Sequence, residues 1–327
     1  MYAKDGKLFL NGQRYRFIGV NMYSIVAVPA DVPGYHCGNG FTDAQARTAL
    51  AEVAAMGGRV VRVPVYQSVT RSGADYSRFD LLVDEAERLG LTLVPILESQ
   101  WYYCTSGGYK YATWYASGYK KPYGAYRKSL RQYADETARR YRGRKGILAW
   151  QVMNESETRT TTDLADPESL LDFARDMLRI VQRADPTHLA MLGTEGVLKP
   201  SSGGPVFALI AGLPDNDVVE VHDYGQPKVG MPIAVHLARL VAKELRRPFI
   251  IGEVGVSSPR FTKKERAHML MHKLQAAWAE DVDGVLLWSY RSVDGTSKHF
   301  GPKDPIVKEF RLFSIREGIQ PKPPGTP

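Results

Sequence analysis

The sequence predicts a single α/β domain folded as a (β/α)8 TIM barrel with a small hairpin at its N-terminal end. Three observations carry this. Eight short apolar runs read as strands, helical patterns fill the gaps between them, and no low-complexity block or linker divides the 327 residues. Strands that alternate with helices favour a parallel sheet, and eight such units in this length suit a closed barrel better than an open doubly wound sheet. No G-x-G-x-x-G follows the first run, which weakens a dinucleotide-binding reading.

The strand-like runs cover residues 16–20, 59–65, 91–97, 147–153, 189–192, 218–221, 249–251 and 284–287. Helical spacing marks residues 42–56, opened by a Thr42 cap, and 76–89, stopped by Gly90. It returns at 124–141, 167–183, 233–245, 262–278 and 306–316, and is least clear in the fifth crossover, 203–213. Residues 7–12 end in Asn11-Gly12, a strong hairpin signal, and are expected to cap the barrel bottom. The barrel is therefore assigned to 1–319, and the Pro- and Gly-rich 320–327 to a flexible tail.

Composition narrows the function. Hydrophobic residues make up 44% and charged residues 24%, enough apolar material for one large core. The net charge is +8, but the basic clusters, such as Arg139, Arg140, Arg142, Arg144 and Lys145, fall near expected helix ends. A solvated surface explains them, and no nucleic-acid partner is expected. No apolar run approaches the roughly 18 residues of a membrane span, and no secretory signal opens the sequence. The only two cysteines, Cys37 and Cys104, fall in loops that follow strands one and three on the same face, and a disulfide between them is expected.

Barrel enzymes place their chemistry at the C-terminal ends of the strands. Here those ends carry Asn21, Arg62, Glu98, then Asn154-Glu155, Glu195, His222-Asp223-Tyr224, Glu253 and Trp288. A solvated loop residue would explain any one of these acids, but not their recurrence along one edge. Metal hydrolysis on a barrel needs clustered histidines, and the seven here include no H-x-H pair. Schiff-base chemistry needs a strand-end Lys, and none occurs. Glu155 and Glu253 supply the paired carboxylates of glycoside hydrolysis, one held protonated and one ionised. The segment 101–126 has two Trp and eight Tyr, which reads as a sugar-stacking platform rather than a core pattern.

With these motifs in place the sequence resembles the clan A glycoside hydrolases, above all glycoside hydrolase family 5. Residues 147–155, ILAWQVMNE, are similar to the family's strand-four motif, and 249–255, FIIGEVG, to its strand-seven motif. The resemblance implies Glu155 as acid/base, Glu253 as nucleophile and Asn154 as the contact to the sugar 2-hydroxyl. It implies His222 beside the acid/base, Tyr224 bonded to the nucleophile, Arg62 as the strand-two Arg and Trp288 as the floor beneath the cleaved sugar. Gly193-Thr194-Glu195-Gly196 and the loop 107–114 resemble the mannanase-like branch, which adds Glu195 to the substrate-binding set. Trp101 and Trp114 are expected to line the cleft with Trp288. Two departures stand out: Ser156 follows the acid/base where the family usually has Pro, and Glu98 stands where His or Asn is common.

The expected activity is retaining endo-β-1,4-mannan hydrolysis, with a β-1,4-glucanase or other β-glycosidase as the alternative. A catalytically silent carbohydrate-binding barrel is the rival of another class. The partner is a polysaccharide or oligosaccharide, no cofactor or metal is implied, and a monomer acting outside the cell is expected. Retention places the two carboxyl groups about 5–5.5 Å apart. Glu155 is expected to hold the higher pKa, on the basic limb of a bell-shaped profile, and Glu253 the acidic limb.

Overall fold

A computed structural model describes residues 1–26, 40–102, 104–157, 166–199, 201–225, 231–256, 261–291 and 299–319. Its elements are, in order, β1 (Tyr2–Lys4), β2 (Lys7–Leu10), β3 (Gln13–Arg14), β4 (Phe17–Asn21), α1 (Asp43–Ala55), β5 (Val60–Pro64) and α2 (Ser77–Leu89). Then come β6 (Thr92–Ile96), α3 (Ala112–Ala116), α4 (Leu130–Arg140), β7 (Ala149–Gln151), α5 (Pro167–Ala184) and β8 (Leu189–Met191). The chain continues with α6 (Pro205–Ala211), β9 (Val219–Asp223), α7 (Ile233–Glu244), β10 (Phe249–Val254), α8 (Lys263–Ala279), β11 (Gly284–Leu287) and α9 (Pro305–Arg316).

Strands β4 to β11 form one parallel sheet in the order β8-β7-β6-β5-β4-β11-β10-β9, with a helix after each strand: a (β/α)8 barrel. Each of the eight apolar runs is a strand. The two end strands, β8 and β9, share no regular ladder. They are joined by Asp217 N–H donating to Ala190 O (2.8 Å) and His222 N–H donating to Glu195 O (3.2 Å). Side chains complete the junction, with Ala190 N–H donating to Asp217 Oδ2 and Thr194 N–H to Glu220 Oε2.

Period-two alternation sorts each strand's side chains between two cores. Phe17, Val60, Val94, Ala149, Met191, Val218, Ile250 and Leu286 point into the barrel and meet Leu8 of β2. Ile18, Val61, Val63, Trp150, Val219 and Ile251 face outward against the helices. Two to four residues further along the inner face of β4, β5, β7 and β9, the apolar filling gives way to Asn21, Arg62, Gln151, Glu220 and His222, all buried. The barrel is thus oily at its N-terminal end and ionic at its C-terminal end.

The N-terminal hairpin plugs the oily end. Asn11 and Gly12 both have positive φ (51° and 81°), as a two-residue hairpin turn requires. Leu8 N–H and Arg14 both donate to the buried Asp283, which also accepts from Phe249 N–H and so bolts the hairpin to β10. A second turn at Asp5-Gly6 adds β1, a strand the sequence pattern had not marked.

Two other expectations change. The helix expected over 124–141 begins only at Leu130, because Gly124 has φ 60° and Ser129 caps it by accepting from Gln132 N–H. The aromatic segment 101–126 is only partly a platform. Short α3 docks on α5, so Trp114, Tyr115 and Tyr119 pack around Phe173 and become core. Cys104 is buried and disulfide-bonded. Its expected partner Cys37 and the tail 320–327 lie outside the described residues.

Candidate active site

At the ionic end of the barrel, one guanidinium organises four strands. Arg62 is 1% exposed and donates to Asn21 Oδ1 of β4 (2.8 Å) and Gln151 Oε1 of β7 (2.6 Å). It also donates to Asn154 Oδ1 (2.6 Å) and Glu253 Oε1 of β10 (2.7 Å). Four of the five N–H donors of the planar fork are thereby used. The other oxygen of Glu253 accepts from the Tyr224 hydroxyl at 2.5 Å and lies 3.3 Å from His222 Nδ1.

A bulge in β10 brings Glu253 to this position. The register steps from Ile251 opposite Val221 directly to Glu253 opposite His222, leaving Gly252 as the extra residue. Only glycine fits there: a Cβ would lie 1.7 Å from Glu220 Oε1.

Glu155 sits just beyond β7, 7% exposed, in the left-handed region at φ 48°. A non-glycine residue there carries strain of about 1–3 kcal/mol, typical of functional positions. Its Oε1 lies 2.6 Å from His222 Nδ1, and its Oε2 accepts from the indole N–H of Trp101. His222 Nε2 meets Glu220 Oε1 at 2.8 Å. With an acceptor at each ring nitrogen, the imidazole is charged and donates twice. Burial opposes that charge, but Glu253, Glu220 and the bonds to Glu155 and Glu220 hold its pKa well above the ordinary histidine value.

Burial also pushes the Glu155 carboxyl up, yet the bond and charge of His222, the Trp101 N–H and Arg62 outweigh it, and its pKa lies below the ordinary value. Burial of Glu253 is only partly offset by His222, Arg62 and Tyr224, so its pKa lies above. The resting order is the reverse of that expected from the sequence. Each carboxyl has two direct donors, and the difference is that Glu253 is the more deeply buried and also faces the like charge of Glu155.

Atoms of Glu155, Glu253 and His222 come within 4.8 Å of one another. The donor set does not suit a metal ion, since Arg62 already neutralises Glu253 and His222 presents N–H donors rather than lone pairs. What it suits is a pair of carboxyl groups on either side of a reacting carbon, one ion-paired and one held by uncharged and imidazolium donors.

Of the ten residues singled out, the structure brings Arg62, Trp101, Asn154, Glu155, His222, Tyr224 and Glu253 into this one network. Trp288 directly follows β11, beside β10 and β4, and stacks on Tyr23 with ring centres 5.7 Å apart and planes within 4°. Trp114 is not brought to the carboxylates: it is 5% exposed and packs on Phe173 of α5, because α3 folds it inward. Glu195 directs its side chain to Lys199 (3.0 Å), and only its backbone touches the network, through His222. Glu98 forms a buried pair with Lys110 (3.2 Å) and is likewise committed elsewhere. Glu220 was missed by the sequence reading; its signal was a Glu two residues before His222, inside an otherwise apolar run.

Two carboxyl groups facing each other at the C-terminal end of a barrel's strands suit the two-carboxylate chemistry of glycoside hydrolysis. Residues 23–293 match the cellulase family, glycosyl hydrolase family 5, and the chain belongs to it; it is a glycoside hydrolase. A probable mannan endo-1,4-beta-mannosidase C of Aspergillus terreus is 30% identical over 139 residues, 38% of this chain and 33% of that protein. This chain thus spans about a third of that relative's length. A putative mannan endo-1,4-beta-mannosidase 4 of Arabidopsis thaliana is 24% identical over 299 residues, 75% of this chain and 72% of that protein. Among solved structures, an endo-beta-1,4-mannanase from Thermotoga petrophila superposes with a TM-score of 0.72 at 16% identity, covering 98% of this chain and 80% of its own. At that identity the likeness concerns the fold.

Proposed function

We propose that this protein is a retaining endo-β-1,4-mannanase, with Glu253 as nucleophile and Glu155 as acid/base. The observation that carries the reading is the approach of the two carboxyl groups, one atom of each within 4.8 Å of the other. Retaining enzymes need about 5–5.5 Å, whereas inverting ones leave about 6.5–9.5 Å for a water. In the first step a Glu253 oxygen bonds to the anomeric carbon while the bond to the leaving oxygen breaks, and Glu155 gives that oxygen its proton. In the second, Glu155 takes a proton from water, whose oxygen replaces Glu253 on the carbon.

Arg62 and Tyr224 keep Glu253 anionic, Asn154 serves the sugar 2-hydroxyl, and Trp288 forms the floor. Trp101 and Glu195 contribute on the loops around them. The mannan names of two relatives support the sugar; the cellulase description of the family supports a β-1,4-glucanase as the second reading. A polymeric substrate and a disulfide-bonded Cys104 support action outside the cell, as a monomer built from residues 1–319. Among the described residues no helix is long and apolar enough to cross a membrane.

A panel of soluble polysaccharides, read by reducing-end release and by NMR of the first-formed anomer, tests this. Rapid shortening of β-mannan with β-anomers appearing first is expected. Cleavage of β-glucan alone replaces the sugar, an α-anomer overturns retention, and no release from any β-glycoside favours the silent barrel.

A further inference from the structure

The Trp101 indole has a partner that an aromatic sugar platform would not need. Its N–H donates to Glu155 Oε2, and Glu155 Oε1 is already taken by His222. Oε2 is therefore the oxygen left to face a leaving group, and in the resting protein it is occupied. The indole N–H is a donor with no acceptor capacity. A protonated Oε2–H and the indole N–H would meet donor to donor, so the same oxygen cannot be an acid and bond Trp101 at once. The ring itself is seated edge-on against Tyr109, whose own ring packs against Tyr102. Trp101 thus links the second oxygen of Glu155 to the partly exposed aromatic residues of the loop after β6.

We infer that Trp101 is a positioning residue that holds Glu155 as a carboxylate while the leaving-group side of the cleft is empty, and surrenders Oε2 when a glycosidic oxygen arrives. This rests on the acid/base role proposed for Glu155. The cycle balances. Trp101 withdraws as Oε2 takes up a proton from solvent on substrate binding; the Oε2–H bond breaks as the leaving oxygen takes that proton. Glu155 is then an anion, the role a base needs, and the indole bond re-forms until water yields its proton to Oε2, which returns that proton to solvent as the cleft empties. The other groups facing Glu155 are His222 of β9, Arg62 of β5, Glu253 of β10, and Tyr224 and Glu157 nearby. None of them bonds Oε2 among the described residues. Trp101 is the donor whose removal changes that oxygen alone, and the depressed pKa of Glu155 includes its contribution.

Trp101→Phe keeps the ring and removes the N–H. A donor lost from the anion favours the protonated carboxyl, so the alkaline arm of the kcat/KM profile on an oligosaccharide, whose leaving oxygen needs the proton, moves to higher pH, by about one unit. An alkaline arm that coincides with wild type, or lies below it, overturns the inference. Independently, the chain has five tryptophans, so a 15N-labelled sample gives five indole N–H signals. The one absent in Trp101→Phe is expected to move upfield in Glu155→Gln. It also moves upfield when Glu253→Gln binds an oligosaccharide across the scissile position, and returns in a glycosyl-enzyme trapped with a 2-fluoro sugar. A signal unmoved by the oligosaccharide makes the contact static and overturns the gate. Wild-type protein inactive on every β-glycoside defeats the mannanase reading instead, while the response to Glu155→Gln still tests the bond.

Discussion

Three carboxylates, Glu155, Glu220 and Glu253, surround two cations, Arg62 and His222, in a buried space. The cluster is one positive charge short of neutrality, and one proton is what the acid step consumes. This makes the cations interdependent. Arg62→Met leaves Glu253 buried without its ion pair, which destabilises the fold by about 3–5 kcal/mol. It also raises the Glu253 pKa, so the acidic limb of the rate profile moves to higher pH; unfolding curves and kcat/KM against pH check both. Glu253→Ala is expected to lower turnover by about three orders of magnitude or more, with partial recovery in azide or formate. Glu155→Ala should lose activity on saccharides but keep the first step on activated aryl glycosides. Glu155 and Glu253 were legible in the sequence because each ends an apolar run that can only be a strand. The order of their pKa values was not legible, since Trp101 reaches Glu155 from 54 positions away. Trp114 misled because an aromatic side chain looks the same in a core and in a cleft until its helix has a neighbour.

At the scale of elements, the site depends on how strand ends are fixed. Lys273 of α8 is 6% exposed and donates to Asp223 Oδ1, Asp223 O and Gly255 O, clamping β9 and β10 just behind Tyr224 and Glu253. In front, Gly252 makes room for Glu220. Gly252→Ala forces that carboxylate aside, costing about 1–3 kcal/mol by overpacking, and lowers activity through His222. A drop in melting temperature together with lost kcat is the expected pair of results. On the outer side, Asp185 joins α5 to β7 by accepting from Trp150 Nε1 at 2.8 Å. Burial raises its pKa, but His188, Thr187 and Trp150 overcome that and bring it to about 2. The folded value lies below the unfolded one, so this contribution is present above the ordinary range of Asp. It fades as pH falls toward 2. Asp185→Asn should lose about 1–3 kcal/mol at neutral pH and a smaller increment near pH 2, measured by denaturant unfolding. The eight barrel strands were readable from their apolar runs, while the start of α4 and the existence of α3 were not, because both are set by a positive-φ glycine and by docking on α5.

For the molecule as a whole, division of the barrel interior into an oily half and an ionic half separates stability from chemistry. Leu8 and its neighbours hold the strands together where no reaction occurs, which frees the other end to keep charges in close quarters. Closure is less even. Between β8 and β9 the carboxylates of Asp217 and Glu220 accept amide hydrogens that a regular ladder would give to carbonyls. A ring with one such joint breathes there first. Hydrogen exchange should find the Ala190, Thr194 and His222 amides opening at lower free energy than those of Val61 or Val94 in mid-sheet. Uniform protection around the ring would show that the side-chain joint is as firm as a ladder. Glu220 belongs to both the joint and the imidazolium, so each opening would also loosen the partner of His222. Local fluctuation and readiness for chemistry would then share one carboxylate, and a variant that stiffens the joint would alter the turnover rate without touching the substrate.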